Sequence, residues 1–303
     1  MEILLKLQLN IVLFLQKLAG GDWKTLWNII TFLANPAVFL SIFVLIYWNI
    51  NKKEGARFAY NAAFILLIVN ALKTPIGAKR PYQVDSSVKM LEADGSGTGS
   101  SFPSGHSALS SALCSSLFIS FLRNAFWIVF VVVIPILVGL SRMVLGMHFP
   151  QDVIVGLALG YGFTFIFYRL LGKLDNGLSK SVALSVVFSS ILLVTGFVLS
   201  ILMTVGVLEK AIFSDLVRSI TLLGSLIFGR FFEERFVKYV TRARKAKKIL
   251  RLILGIIPVA LLYFFLGHTV AVVGDFFLYL FIGVWCTFLF PFIGIHSNLF
   301  YIV

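Results

Sequence analysis

Nine long apolar runs alternate with short polar segments along this chain: about 27–48, 56–72, 104–122, 125–142, 150–171, 181–206, 211–229, 249–267 and 270–294. Each has 17 residues or more, within the range of helices that cross the hydrocarbon layer of a bilayer. Ahead of them, residues 1–19 are apolar but interrupted by Lys6 and Lys17, and end at Gly20-Gly21. That pattern predicts an amphipathic helix lying in the membrane interface. Pro36 falls inside the first run and predicts a kink. The segment 73–103 is rich in Ser, Gly and Asp and too polar for hydrocarbon. The link 172–179 is short and polar, 230–248 is highly charged, and no internal repeat is visible. The fold expected is all-α, a polytopic transmembrane helix bundle.

Composition strengthens this reading. The chain has 303 residues, 59% of them hydrophobic and 13% charged, with a mean hydropathy of +0.97. A water-soluble domain needs far more polar surface. The formal net charge of +13 would suggest nucleic acid in a soluble protein. Here the positive residues concentrate in short loops, so membrane orientation and anionic headgroups explain them, and no nucleic-acid partner is expected. Counting spans puts 51–57, 123–124, 172–180 and 230–248 on one side, with Lys52, Lys53, Arg57, Arg123, Lys173, Lys180 and the cluster from Arg235 to Lys248. The positive-inside rule makes that side cytoplasmic. The loop 73–103 and the turn near His148 then face the other way. Cys114 and Cys286 lie inside apolar runs and read as small packing residues. The N-terminus shows no cleavable signal pattern.

Three polar segments fall at the extracytoplasmic ends of the spans: Lys73 to Pro81, Pro103-Ser104-Gly105-His106, and Ser141-Arg142 to Asp152. Lys73, Arg80 and Arg142 are costly at membrane depth unless paired or solvated. Three cations at one level call for an anion, and phosphate suits them: arginine offers a planar fork and lysine a mobile charge. Ser104 and Gly105 open a helix, where free N–H groups attract phosphate. His148 and Asp152 are four residues apart and share a face if a helix begins there. A carboxylate on one ring nitrogen frees the other to attack, making His148 the candidate nucleophile and Asp152 its orienting partner. His106 is the candidate general acid and, later, base. No carboxylate cluster suited to Mg²⁺ or Zn²⁺ accompanies these segments, so neither metal nor other cofactor is expected.

The segments resemble the type 2 phosphatidic acid phosphatase (PAP2) superfamily, whose pattern is K-x6-RP, then PSGH, then SR-x5-H-x3-D. All eleven defining positions are present: Lys73, Arg80, Pro81, Pro103, Ser104, Gly105, His106, Ser141, Arg142, His148 and Asp152. The resemblance covers roughly residues 25–171. It implies a six-helix core, an extracytoplasmic or lumenal site, a phosphohistidine on His148, and the same roles at the other positions. Span 181–206 would complete that core. Three regions are then expected: an interfacial helix 1–22, a catalytic membrane domain 23–206, and a tail 207–303 of no assignable role. The implied activity is hydrolysis of lipid phosphate monoesters or diphosphates, such as undecaprenyl diphosphate, phosphatidylglycerol phosphate or phosphatidate. A phosphotransferase on the same site, or a non-catalytic lipid-binding or transport protein, are the alternatives. The partners expected are a phosphorylated lipid substrate and membrane lipids; oligomeric state is left open.

Other polar residues have plainer readings. His268 and His296 are expected to be interfacial, Lys79 a solvated loop charge, and Tyr82 a cover for the site or part of an aromatic belt. Asp215 and Arg218 either form a polar site or pair with each other. Glu233-Glu234 and the basic run after them read as a solvated cytoplasmic helix. The Gly/Ser stretch 95–101 reads as a flexible loop that could close over the site.

Overall fold

The computed structural model describes residues 2–92, 99–174, 182–266 and 272–302. His268 and residues 95–98 of the Gly/Ser stretch lie outside the described residues. The helices are α1 (Glu2–Ala19), α2 (Lys24–Phe32), α3 (Pro36–Asn49), α4 (Lys52–Ile76), α5 (Pro81–Val84), α6 (Gly105–Phe121), α7 (Ile128–Val144), α8 (Pro150–Leu174), α9 (Val182–Thr204), α10 (Lys210–Phe232), α11 (Lys245–Leu266), α12 (Val272–Val284) and α13 (Phe290–His296). Two short strands, β1 (Tyr239–Val240) and β2 (Tyr301–Ile302), pair antiparallel. Among the described residues eight helical segments are long and apolar enough to cross a membrane. The third expected span, α6, has 17 residues, about 26 Å of helix, at the short end of what can cross. The protein is a multi-pass, all-α membrane protein.

The first span is broken where a kink was expected. Helix α2 ends at Phe32 and α3 begins at Pro36. The proline ring bars a continuous helix but suits a first helical position. Asn35 caps the new start, its Oδ1 accepting from Ala37 N at 2.8 Å. Helix α4 runs longer than its apolar stretch, because Asn51 caps it (Glu54 N to Oδ1, 3.1 Å) and only Pro75 and Gly77 end it.

The chain forms two compact units, one from Met1–Phe39 and Ile68–Ile166, the other from Leu40–Leu67 and Phe167–Val303. In the first, α1 packs on α7. Its inward face carries glutamines: Gln8 exchanges two amide bonds with Gln151 (3.1 and 3.2 Å), and Gln16 binds Val144 O at 3.0 Å. Ile3, Leu7, Ile11, Phe14 and Leu18 form an exposed apolar stripe on the other side. Helices α6 and α8 approach closely. A side chain at Gly156 or Gly160 would strike the backbone of Ser104 or Ala108. Such small-residue contacts let membrane helices touch backbone to backbone.

In the second unit a polar hub joins 47–52, 233–251 and 286–302. Lys52 pairs with Glu233 at 2.8 Å and donates to Tyr239 O at 2.9 Å. Arg251, fully buried, donates to Trp48 O (2.7 Å) and Leu299 O (2.8 Å) and lies over the Phe300 ring. Glu233 is thus buried and ion-paired, not solvated as its charged surroundings suggest. Lys52 reaches it from another helix, a pairing that local sequence does not show. Asp215 and Arg218 do pair, at 3.0 Å, and Asp275 of α12 joins them at 2.8 Å. This settles them as an interhelical ionic clip. His296 Nδ1 lies 3.2 Å from Phe292 O, and Lys79 is exposed.

Candidate active site

The three polar segments meet within the first unit, and backbone hydrogen bonds hold them together. Ser101 N donates to Ala78 O at 2.8 Å, and Ala78 N to Ser100 Oγ at 2.9 Å, tying the Lys73–Pro81 segment to the one before α6. Ser104 N donates to Asp152 O at 3.0 Å, tying α6 to the start of α8. Arg80 Nη1 reaches Met147 O at 3.2 Å, and Arg80 Nε reaches Gly99 O at 3.3 Å. The expected juxtaposition is therefore present.

Between α7 and α8 the chain makes a tight turn. Met147 N and His148 N both donate to Arg142 O, at 2.9 and 3.3 Å. Gly146 makes the turn possible with φ of +75°. It also has no room for a side chain, which would collide with Lys89 O. Arg142 closes α7, and Pro150 opens α8 with its missing N–H at no cost. His148 sits in the turn rather than on the helix. The helix face that the spacing suggested for the pair therefore carries Asp152 alone. Asp152 Oδ2 accepts from Phe149 N at 2.9 Å, which fixes the helix start.

The link between His148 and Asp152 is indirect. Nδ1 and Oδ2 stand 3.5 Å apart, long for a hydrogen bond. Ser101 Oγ stands beside both, donating to Asp152 Oδ2 at 2.5 Å and lying 3.4 Å from His148 Nδ1. Ser101 is fully buried and His148 and Asp152 nearly so. Ser101 was missing from the sequence reading; its only signal is its place three residues before Ser104. Ser104 is also buried, but its hydroxyl caps α6, accepting from Ser107 Oγ at 2.9 Å and Ser107 N at 3.4 Å. Its hydroxyl is thus engaged in the helix start.

Lys73 Nζ lies about a van der Waals contact from where a side chain on Gly105 would begin, at 3.9 Å. Lys73, Gly105 and His106 are partly exposed, whereas Arg80 and Arg142 are buried. Of the three cations Lys73 is thus the most accessible, and Arg80 and Arg142 lie deeper. Arg142 Nη1 donates to Thr31 Oγ1 at 3.0 Å and ion-pairs with Glu92. Glu92 was also missed, because nothing in a polar loop marks which carboxylate will fold inward.

Burial pushes the His148 imidazole well below its ordinary value, and the charges of Arg80, Arg142 and Lys73 and the nearby His106 push the same way. At neutral pH the ring is therefore unprotonated, the form with a free lone pair. Among the described residues no group of three or more His, Cys, Asp or Glu side chains could hold a metal ion.

Residues 54–175 match the PAP2 superfamily, and residues 217–300 match the PAP2 superfamily phosphatase transmembrane extension. The second match gives a family to the tail, where sequence patterns alone suggested none. Two curated relatives are both named lipid A 1-phosphatase. That of Rhizobium johnstonii is 34% identical over 114 residues, covering 37% of this chain and 46% of the relative. That of Rhizobium etli is 32% identical, covering 37% of this chain and 48% of the relative. The chain thus matches about half the length of each. No solved structure matches significantly. Two matches that between them cover more than half of the chain place this protein in the PAP2 superfamily.

Proposed function

We propose that this protein is a membrane phosphatase that hydrolyses lipid phosphate esters through a phosphohistidine. One observation carries the reading: a buried His148 set against Ser101 and Asp152, in a turn that hydrogen-bonds to both Arg80 and Arg142 of the cationic segments. The names of the two relatives support a phosphate carried on a lipid as substrate.

In this mechanism His148 Nε2 attacks phosphorus while its Nδ1–H is oriented by Ser101 and Asp152. The bond from phosphorus to the lipid oxygen breaks, and His106 gives that oxygen a proton. Water then attacks the phosphohistidine, His106 takes the water's proton, and the P–N bond breaks to release inorganic phosphate. Lys73, Arg80, Arg142 and the N–H groups at the start of α6 stabilise the oxygens of the transferring group. The three side-chain cations do here what a divalent metal does in other phosphoryl-transfer sites.

The site is proposed to face away from the cytoplasm. Lys52 and Lys73 lie at opposite ends of α4, about 30 Å apart by helix geometry. Lys52 belongs to the basic end, the side retained in the cytoplasm.

The test is a phosphate-release screen with purified protein in detergent. Substrates are lipid A 1-phosphate, phosphatidate, phosphatidylglycerol phosphate and undecaprenyl diphosphate, with EDTA present. Release from at least one is expected. No release from any, or activity that EDTA abolishes and a divalent metal restores, contradicts the proposal.

Ser101→Ala is expected to lower kcat about 10–100-fold, as loss of a group that orients a first partner does. In the native protein kcat/KM, corrected for the second ionisation of the phosphomonoester near pH 6, stays level as pH falls past about 6.5, because His148 takes up a proton only at lower pH. With Ser101 gone, the Asp152 carboxylate can close on the imidazole and favour its protonated form. The acid limb then moves to higher pH, a shift that a purely structural serine would not cause.

A further inference from the structure

Glu92 occupies the arginine that the phosphate needs. Its carboxylate pairs with Arg142 Nη1, and the two side chains are only 3% and 2% exposed. The segment bearing it is pinned on several sides. Leu91 N donates to Leu145 O at 3.1 Å, Asn28 Nδ2 to Leu91 O at 3.2 Å, and Lys89 N to Gln16 Oε1 at 3.1 Å.

The pairing is one-pronged. Among the described residues Arg142 Nε and Glu92 Oε2 are both buried without a hydrogen-bond partner. An arginine fork binds a tetrahedral oxyanion best through two parallel contacts, so Glu92 uses only part of what Arg142 offers. Beside Glu92 a cavity of about 370 Å³ is lined by Lys24, Thr25, Asn28, Met90 and Leu91. It gives a displaced carboxylate both room and a cation.

We propose that Glu92 is a specificity-determining residue that sets a charge threshold for the site: it yields Arg142 to a dianionic phosphomonoester but not to a monoanionic phosphodiester. This rests on the phosphatase reading above. A phosphomonoester carries close to two negative charges at neutral pH. It outcompetes a single carboxylate both in charge and in number of contacts. A phosphodiester carries one charge, so exchanging it for Glu92 gains little. Phosphodiester lipids are the bulk of a phospholipid bilayer, and a cationic cup open to them would otherwise be filled by them. The apparent affinity for any anion is reduced by the fraction of molecules in which Glu92 holds Arg142.

The experiment compares wild type, Glu92→Gln and Glu92→Ala in detergent micelles, using orthovanadate and phosphatidylglycerol as inhibitors of phosphate release. Removing the carboxylate is expected to lower the Ki for vanadate about tenfold, as for a Glu92-bound state near 90% populated. Phosphatidylglycerol, inert toward wild type, becomes an inhibitor of both variants. Ki values that stay the same or rise, with phosphatidylglycerol still inert, overturn the proposal and leave Glu92 as a support for Arg142. Should Gln fail to fold, Ala gives the same readout, and should both fail, Glu92 is a structural residue and the proposal falls. A wild-type protein that neither releases phosphate nor binds vanadate sinks the phosphatase reading itself, so the two failures are distinct.

Discussion

Replacing His148 by alanine lowers kcat for lipid phosphate release by at least about 10⁴-fold, with KM changed only a few-fold. In the proposed mechanism His148 opens the covalent route, and removing a nucleophile costs nearly all of the chemical step. Ground-state binding survives because Lys73, Arg80 and Arg142 remain, each placed by its own segment. Fold should survive as well. The turn around His148 is held by its backbone N–H on Arg142 O and by Gly146, neither of which the side chain supplies. Steady-state kinetics with the best lipid from the screen, beside a thermal melt, measures both. A variant that stays folded and keeps a tenth or more of wild-type kcat contradicts a histidine nucleophile.

His106→Ala separates the two half-reactions. For a lipid alkoxide, which leaves as a poor anion, kcat is expected to fall about 10²–10⁴-fold, the usual worth of a positioned general acid. For p-nitrophenyl phosphate the leaving group needs no proton, so phosphorylation of His148 stays fast. Hydrolysis of the phosphohistidine still lacks its base. Stopped-flow traces should show a burst of about one p-nitrophenolate per active site, followed by slow turnover. The partly exposed position of His106 suits this role, since its proton must be exchanged with leaving group and water. A variant equally slow on both substrates and without a burst would assign His106 to the attack itself.

Much of this site is legible in sequence because a membrane makes charge informative. Lys73, Arg80 and Arg142 stand out against apolar runs, and the count of spans brings them to one level before any fold is known. Ser104, Gly105 and Pro150 are readable as helix starts for the same local reasons that the structure shows. Residues whose role depends on how a loop travels are not legible. Ser101 looks like any serine in a Ser-rich loop until the chain sets its hydroxyl against Asp152. Glu92 looks solvated until Leu91 and Lys89 are seen pinned to α7 and α1. The same holds for Glu233 and Asp275, whose cationic partners come from distant helices. The break at Leu33–Asn35 was half visible: Pro36 marked the place, but only the Asn35 cap turns a kink into two helices. The tail is the largest gap, because the polar residues of α10 to α13 form no spaced pattern that names a chemistry.

The central claim is that a phosphoryl group passes through His148. Turnover with a ³²P-labelled lipid, quenched in alkali within milliseconds, tests it most directly, since a phosphohistidine survives base and is lost in acid. Label is expected on the protein, stable at high pH, released at low pH, mapped by mass spectrometry to His148, and accumulated in His106→Ala when a labelled substrate with an activated leaving group is used. Label on another residue, or steady turnover by His106→Ala with no labelled protein at any time, would contradict it.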